Sequence, residues 1–309
     1  MSKPIDKVSI VIPIYNEEPN LPELFEKIDE VIANDRFAWE VVMINDGSKD
    51  ASGRLIRQKA DADSRYRAVQ FRRNFGQTAA MQAGFDYATG EVVVPLDADL
   101  QNDPGDIPML LEKLDEGYDV VSGWRKHRRD KRIRRVLLSR VANAIISRLS
   151  GVKLHDYGCS LKAYRRSVMK EVRLYGEMHR FIPIYAAWQG GTVTELPVKH
   201  FPRTRGQSNY GMERVFKVIL DMIVVKFLHG YSEKPMYVFG GFGLICFIIS
   251  FLMGCVAIGL KFADIANLTR TPLPLACVFF GLIGVFAILM GLLAEIITRT
   301  YYEAQNKLT

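Results

Sequence analysis

Glu91-Val-Val-Val-Pro-Leu-Asp-Ala-Asp-Leu-Gln101 is the stretch on which the fold turns. From Glu91 to Leu96 it is short, apolar and rich in valine, which predicts a buried strand. The run stops on two carboxylates, Asp97 and Asp99, separated by the small Ala98. Spaced i, i+2 on an extended turn, the pair can face one divalent cation from the same side. Oxygen ligands of this kind suit Mg²⁺ or Mn²⁺, which in turn clamps a diphosphate. The bare tripeptide is common on solvated loops. At the end of an apolar strand, with Gln101 and Pro104 behind it, it reads as a binding element.

Working outward, the flanking sequence repeats the pattern. Val8 to Tyr15, Glu40 to Ile44, Ala68 to Phe71 and Tyr118 to Val121 are short β-rich runs. Helical stretches from Asn20 to about Ala33 and from about Ala51 lie between them. Strands of this length alternating with helices predict an α/β domain with an open, mostly parallel sheet covered on both faces. Ligands bind such sheets beyond the carboxyl ends of the strands, where Asn45-Asp46-Gly47-Ser48 and Asp97-Ala98-Asp99 both fall.

Charge is unevenly spread. Residues 1–123 carry 13 basic and 23 acidic side chains, residues 124–229 carry 23 and 7, and the last 80 carry 5 and 4. A basic middle implies an anionic partner: nucleic acid, a membrane surface or phosphorylated substrates. Nucleic acid would leave the acidic front and the greasy tail unexplained, so none is expected. The tail holds two apolar runs, Tyr237 to Leu260 and Leu273 to Ile297, each long enough for the roughly 20 helical residues a bilayer core requires. Only Glu295 interrupts them, and the linker Lys261 to Pro272 is short, which predicts a transmembrane hairpin. The positive-inside rule then puts the basic domain and both termini in the cytoplasm, at the inner membrane.

Arg125 to Arg140 holds nine Lys/Arg and one acid. With Ile133, Val136, Leu137, Val141, Ile145 and Leu149 at helical spacing, Arg132 to Leu149 is expected as an amphipathic helix on the membrane surface. Met212 to Leu228 has the same character, and for it the membrane surface and an ordinary core-facing helix stay open. Three divisions are expected: 1–123, 124–230 and 231–309. Cys159, Cys246, Cys255 and Cys277 form no disulfide framework, and fit a reducing face. The polar start, Met1 to Lys7, is not expected to act as a signal peptide. His127, His155, His179, His200 and His229 lack any metal spacing.

Val8-Ser-Ile-Val-Ile-Pro-Ile-Tyr-Asn-Glu-Glu18, Asn45-Asp-Gly-Ser48, Arg73-Asn-Phe-Gly76 and Asp97-Ala-Asp-Leu-Gln101 together resemble the inverting GT-A-fold glycosyltransferases of family 2 that act on polyprenyl phosphates. Bactoprenol glucosyltransferases, dolichyl-phosphate mannose synthases and the undecaprenyl-phosphate aminoarabinose transferase belong to that group. The resemblance spans nearly the whole chain, tail included. Asp156-Tyr-Gly-Cys-Ser-Leu-Lys-Ala-Tyr-Arg-Arg166 and Phe181-Ile-Pro-Ile184 are most similar to the aminoarabinose branch.

The resemblance implies roles residue by residue. Pro13, Tyr15 and Glu17 frame the nucleotide base, and Asp46 bonds the base or ribose. Arg73 sits near the diphosphate of a nucleotide-sugar donor. Asp97, Ala98 and Asp99 meet the donor, with Asp97, Asp99 and Gln101 handling the metal. Arg125, Arg135, Ser139 and Arg203 hold the acceptor phosphate. Asp156 is the catalytic aspartate, with Asp99 beside it in the chemistry. Asn209 stands where the family's R-x-x-G-x-S-K element has lysine, and Gly105 follows Pro104 where an acid is common.

Each residue has a plainer reading. Pro13 and Tyr15 can simply end a strand, Asp46-Gly47 is a good turn by itself, Asp156 can be a turn aspartate, and Arg203 and Arg205 can be solvated. The expected reaction is sugar transfer from a nucleotide sugar, a UDP-sugar before GDP-mannose, to a polyprenyl phosphate with inversion. A processive polysaccharide synthase is the less favoured enzyme, because Gln189-Gly190-Gly191 does not continue as Q-x-x-R-W and two spans enclose no channel. A membrane scaffold is the non-enzymatic alternative. Homo-oligomers occur in the group, and Gly240, Gly241 and Gly243 permit close helix packing in the first span.

Overall fold

The structure is a computed structural model. It describes residues 4–33, 36–126, 143, 144, 146–148, 150–169, 178–202, 220, 222, 224, 234–263 and 271–304. The chain forms two units, Met1–Met222 and Ile223–Thr309.

In the first unit, alternation of strand and helix builds a sheet. Its elements are β1 (Lys7–Ile14), α1 (Leu21–Ile32), β2 (Ala38–Asn45), α2 (Ser52–Ala62), β3 (Tyr66–Gln70), α3 (Gln77–Tyr87) and β4 (Val92–Pro95). A 3₁₀ turn at Pro104–Asp106 leads into α4 (Ile107–Asp115) and β5 (Val120–Trp124). Then come β6 (Lys162–Arg165), α5 (Arg166–Met169), a second 3₁₀ turn at Met178–Arg180, α6 (Ile182–Trp188) and β7 (Val193–Pro197).

The described strands form one sheet in the order β3-β2-β1-β4-β6-β5-β7. Every pairing is parallel except those of β6, which runs antiparallel to both β4 and β5. The expected mostly parallel sheet is therefore present, with one reversed strand.

Strand residues alternate between two helical layers, as the two-residue period of a strand requires. Ile10, Ile12, Val41, Met43, Val92 and Val94 join Leu24, Ile28 and Leu110 on one face. Val11, Val42, Ile44 and Val93 join Met81, Phe85 and Ile182 on the other. Because both faces are covered, the strands read as nearly continuous apolar runs. β6 departs from that pattern, since it buries Lys162 and Arg165. Arg165 spends its guanidinium on the carbonyls of Leu114 and Tyr118, at 3.1 and 3.2 Å, around the end of α4, where the Leu114 carbonyl also accepts from the Gly117 amide at 3.0 Å.

The expected amphipathic segments fall mostly outside the described residues. Of the described positions, Ile146 and Met222 are buried, whereas Leu220 and Val224 are exposed.

The second unit is an antiparallel pair, α7 (Pro235–Phe262) and α8 (Leu273–Ala304). The helices outrun the apolar stretches read from sequence, continuing to Phe262 and Ala304. Both are long and apolar enough to cross a membrane, with mean hydropathy of 2.5 and 2.7 over their most apolar stretches. Their outward side chains include Phe251, Leu252, Phe286 and Ile296, all exposed. Apolar surface of this extent implies lipid as its solvent and associates the chain with a membrane. Gly243 is spent inside the hairpin: a Cβ there would stand 2.9 Å from the Gly284 carbonyl oxygen. Ser250 Oγ also donates across the pair to the Cys277 carbonyl at 2.7 Å. Near its end, Glu295 meets Arg299 one turn on, at 3.4 Å.

Candidate active site

The site gathers at the carboxyl ends of β1, β2 and β4, as the crevice rule for open sheets requires. Behind β1 the chain turns at Asn16, whose φ is +54°. Its amide donates to Ser48 Oγ at 3.0 Å, and its side-chain oxygen accepts from the Lys49 amide at 2.8 Å. The Glu17 and Glu18 amides reach Ser52 Oγ and the Asp50 carboxylate, at 3.0 and 3.1 Å. Short polar side chains thus lace the loop after β1 to the loop after β2, and hold both where no ladder is available. Pro13 is partly buried at the end of β1, while Tyr15 is exposed. The Glu17 carboxylate accepts from Asn20 Nδ2 at 2.5 Å.

Asp46 has a duty the sequence does not reveal. It is only 2% exposed. One carboxylate oxygen accepts from the Phe75 amide at 2.7 Å and the other from the Gly76 amide at 2.9 Å. The loop carrying Arg73 is therefore tied down by Asp46. Gly47 lets that loop come close: with φ at +68°, a Cβ there would lie 2.4 Å from the Arg73 carbonyl carbon. The Arg73 guanidinium lies over the Phe75 ring, 4.7 Å from its centre. Phe75 is exposed, an aromatic surface beside the site that the sequence reading passed over.

At Asp97-Ala98-Asp99, Ala98 is buried and the two carboxylates are partly exposed on either side of it. Gln77 Nε2, in the first turn of α3, donates to Asp97 Oδ1 at 2.7 Å. The Gln101 amide donates to Asp99 Oδ1 at 3.2 Å, and Leu100 takes φ +59° to make the turn. No third carboxylate, histidine or cysteine completes a metal cluster among the described residues. Two half-open carboxylates suit a hard cation that keeps water and substrate phosphate oxygens as its other ligands, so the donor set fits Mg²⁺ or Mn²⁺. Behind the pair, the loop is pinned. The Gln101 carbonyl accepts from the Phe201 amide at 2.9 Å, and Asn102 Nδ2 donates to Ser160 Oγ at 2.8 Å. The Lys199 amide donates to Asp106 Oδ2 at 2.7 Å.

Arg125 leaves the end of β5 and meets Asp156 in a bidentate pair, Nε to Oδ2 at 2.6 Å and Nη2 to Oδ1 at 2.9 Å. The Gly158 amide adds a bond to Oδ1 at 3.0 Å. Both side chains are largely buried. Sequence reading assigned the two to different tasks, and the fold joins them across 31 residues. Planar guanidinium and carboxylate fix each other's orientation, so Asp156 is held in one place.

Asp97 and the Tyr157–Ser160 segment both line one open pocket. Gln77, Lys162, His179 and Arg180 complete its polar lining. His179 Nδ1 and Thr78 Oγ1 are 2.8 Å apart, which ties the second 3₁₀ turn to α3. Burial pushes the Lys162 ammonium down to about 8 and the Cys159 thiol up to about 11. Cys159 is therefore a core thiol. Lys162, His179 and Arg180 were missed from sequence, because their common location exists only once β6 is reversed in the sheet. Arg135, Ser139 and Arg203 lie outside the described residues.

Comparison with known proteins places this geometry in a family. The glycosyl transferase family 2 model matches residues 9–173. Dodecaprenyl-phosphate galacturonate synthase of Rhizobium johnstonii is 42% identical, over 96% of this chain and 89% of that protein. Undecaprenyl-phosphate 4-deoxy-4-formamido-L-arabinose transferase of Klebsiella pneumoniae is 38% identical, over 98% and 92%. Among solved structures, glucosyl-3-phosphoglycerate synthase from Mycobacterium tuberculosis, in complex with Mn²⁺, UDP and phosphoglyceric acid, superposes with a TM-score of 0.55 at 16% identity. That match covers 72% of this chain and 78% of the other, and it shows a shared GT-A-like fold. With half the chain under one family model and relatives this close along its length, the protein belongs to glycosyl transferase family 2.

Proposed function

We propose that the protein transfers a sugar from a UDP-sugar to a polyprenyl phosphate such as undecaprenyl phosphate, with inversion, making a lipid-linked monosaccharide at the cytoplasmic face of the membrane. The observation that carries this reading is a pocket whose lining includes both Asp97 and the segment following Asp156. Full-length similarity to two transferases named for polyprenyl-phosphate products supports the acceptor, and the UDP-bound structural relative is compatible with the donor. The apolar hairpin supplies a reason for the acceptor to be a lipid.

In this mechanism a phosphate oxygen of the acceptor attacks the anomeric carbon as the bond to the diphosphate oxygen breaks. A phosphate is already nucleophilic near neutral pH and needs little general-base help. Asp156 therefore acts by orientation and field, and Arg125 fixes its carboxylate for that task. Arg125, Arg135, Ser139 and Arg203 are assigned to the acceptor phosphate, with Arg125 also pairing with Asp156. Pro13, Tyr15 and Glu17 border the nucleotide, and Asp46 serves it by holding the Arg73 loop. Asp97 and Asp99, with Gln101 behind them, would hold Mg²⁺ or Mn²⁺, which would supply charge neutralisation for the departing diphosphate.

Asp156→Asn tests the assignment. It keeps the side chain's shape but removes the charge that faces Arg125, and sugar transfer to polyprenyl phosphate is expected to fall at least about a hundredfold. Near-normal turnover would remove Asp156 from the mechanism.

A further inference from the structure

Lys162 is only 2% exposed, yet it lines the pocket. An ammonium has three donors. Its Nζ donates to the Tyr157 carbonyl at 3.1 Å, and among the described residues no carboxylate comes within ion-pair distance of it. Directly across the β5–β6 ladder, on the same face of the sheet, stands Ser122. Ser122 Oγ is buried without a hydrogen-bond partner among the described residues. A buried cation is costly unless an anion meets it. The acids nearby are engaged elsewhere, Asp156 with Arg125 and Asp97 with Gln77 and, in the proposed reaction, the cation.

We infer that this pocket is the donor's sugar subsite, and that it selects a sugar bearing a carboxylate, a hexuronic acid, through Lys162 with Arg180 beside it. The inference rests on the sugar-transfer reading above. Asp97 shares the pocket's lining, so a sugar hanging from a diphosphate held there would enter it. A neutral hexose would offer Lys162 only hydroxyls, whereas a uronate supplies a full counter-charge and two acceptor oxygens. The 42% identical relative is named for galacturonate and the 38% identical one for a formamido-pentose, so the relatives point to both a charged and a neutral sugar. The buried lysine favours the charged one.

The test uses the full-length protein in phospholipid vesicles containing undecaprenyl phosphate. UDP-galacturonate, UDP-glucuronate, UDP-galactose and UDP-glucose are compared by kcat/KM for lipid product. One uronate should exceed its neutral counterpart about a hundredfold. Lys162→Met should collapse that ratio to below about tenfold while UDP itself binds as before, which shows the fold intact. Arg180→Met provides the same readout if Lys162→Met does not fold. Equal or better transfer of a neutral sugar overturns the inference and leaves the transferase reading standing. An unchanged uronate preference in both variants overturns it too. A rise in KM for undecaprenyl phosphate, equal with every donor, would place Lys162 on the acceptor phosphate and likewise overturn it. If no donor labels the lipid, the transferase reading fails first, and the inference with it.

Discussion

Replacing Asp46 by asparagine keeps the size of the side chain and removes its charge. One carboxylate oxygen becomes an NH₂ group, which cannot accept from a backbone amide. Either the Phe75 or the Gly76 amide is then left facing a donor inside a site where Asp46 is 2% exposed. A hydrogen bond to a charged group contributes about 1.5–3 kcal/mol, and an unsatisfied buried donor costs about 1–3 kcal/mol. The two overlap, and about 3 kcal/mol is the expected loss. For a unit of this size each kcal/mol moves the melting point by about 2–4 °C, so a drop of roughly 6–12 °C should be seen. UDP affinity should weaken with it, because the Arg73 loop loses its tether. Thermal unfolding in detergent, with and without UDP, gives both numbers. A variant that melts like the parent yet no longer binds UDP would refute the reasoning, because Asp46 would then touch the nucleotide and not the loop.

Gly47→Ala combines a left-handed φ with a Cβ driven into the Arg73 backbone, so it should destabilise by about 3 kcal/mol or more and weaken donor binding; a neutral melting curve would show that the two loops do not approach. Glu40 is opposed by burial, but bonds from Thr89, Ser9 and Lys7 prevail and lower its pKa from 4.5 to about 2. A lowered folded-state pKa adds stability that is complete above 4.5 and disappears as pH falls from there toward 2. Urea midpoints measured between pH 5 and pH 3 should therefore fall more steeply in the parent than in Glu40→Gln, and parallel slopes would remove Glu40 from the pH response.

Much of the fold was legible because its signals are local. Val92 to Leu96 declares a strand by composition, and the carboxylates that stop it mark the carboxyl end where an open sheet binds ligands. The hairpin is legible for the same reason, since a run of apolar residues has few other solutions. β6 was harder. It is four residues long and begins and ends on a buried basic residue, Lys162 and Arg165, so no alternation betrays its register or direction. Its reversal brings Lys162 into the pocket with Asp97. The Arg125–Asp156 pair is a contact between two loops, and spacing along the chain holds no trace of it. Asp46 shows a different limit: Asp-Gly was readable as a turn or as a ligand, and only packing reveals that its carboxylate organises a neighbouring loop.

The most direct test supplies radiolabelled UDP-sugar and Mg²⁺ or Mn²⁺ to the protein in vesicles containing undecaprenyl phosphate, then partitions the label. Label should enter the organic-extractable lipid, and it should vanish on chelation of the metal or in Asp99→Ala. Label in a water-soluble or insoluble polymer, or lipid labelling indifferent to both chelator and Asp99→Ala, would contradict the proposed transfer at Asp97-Ala98-Asp99.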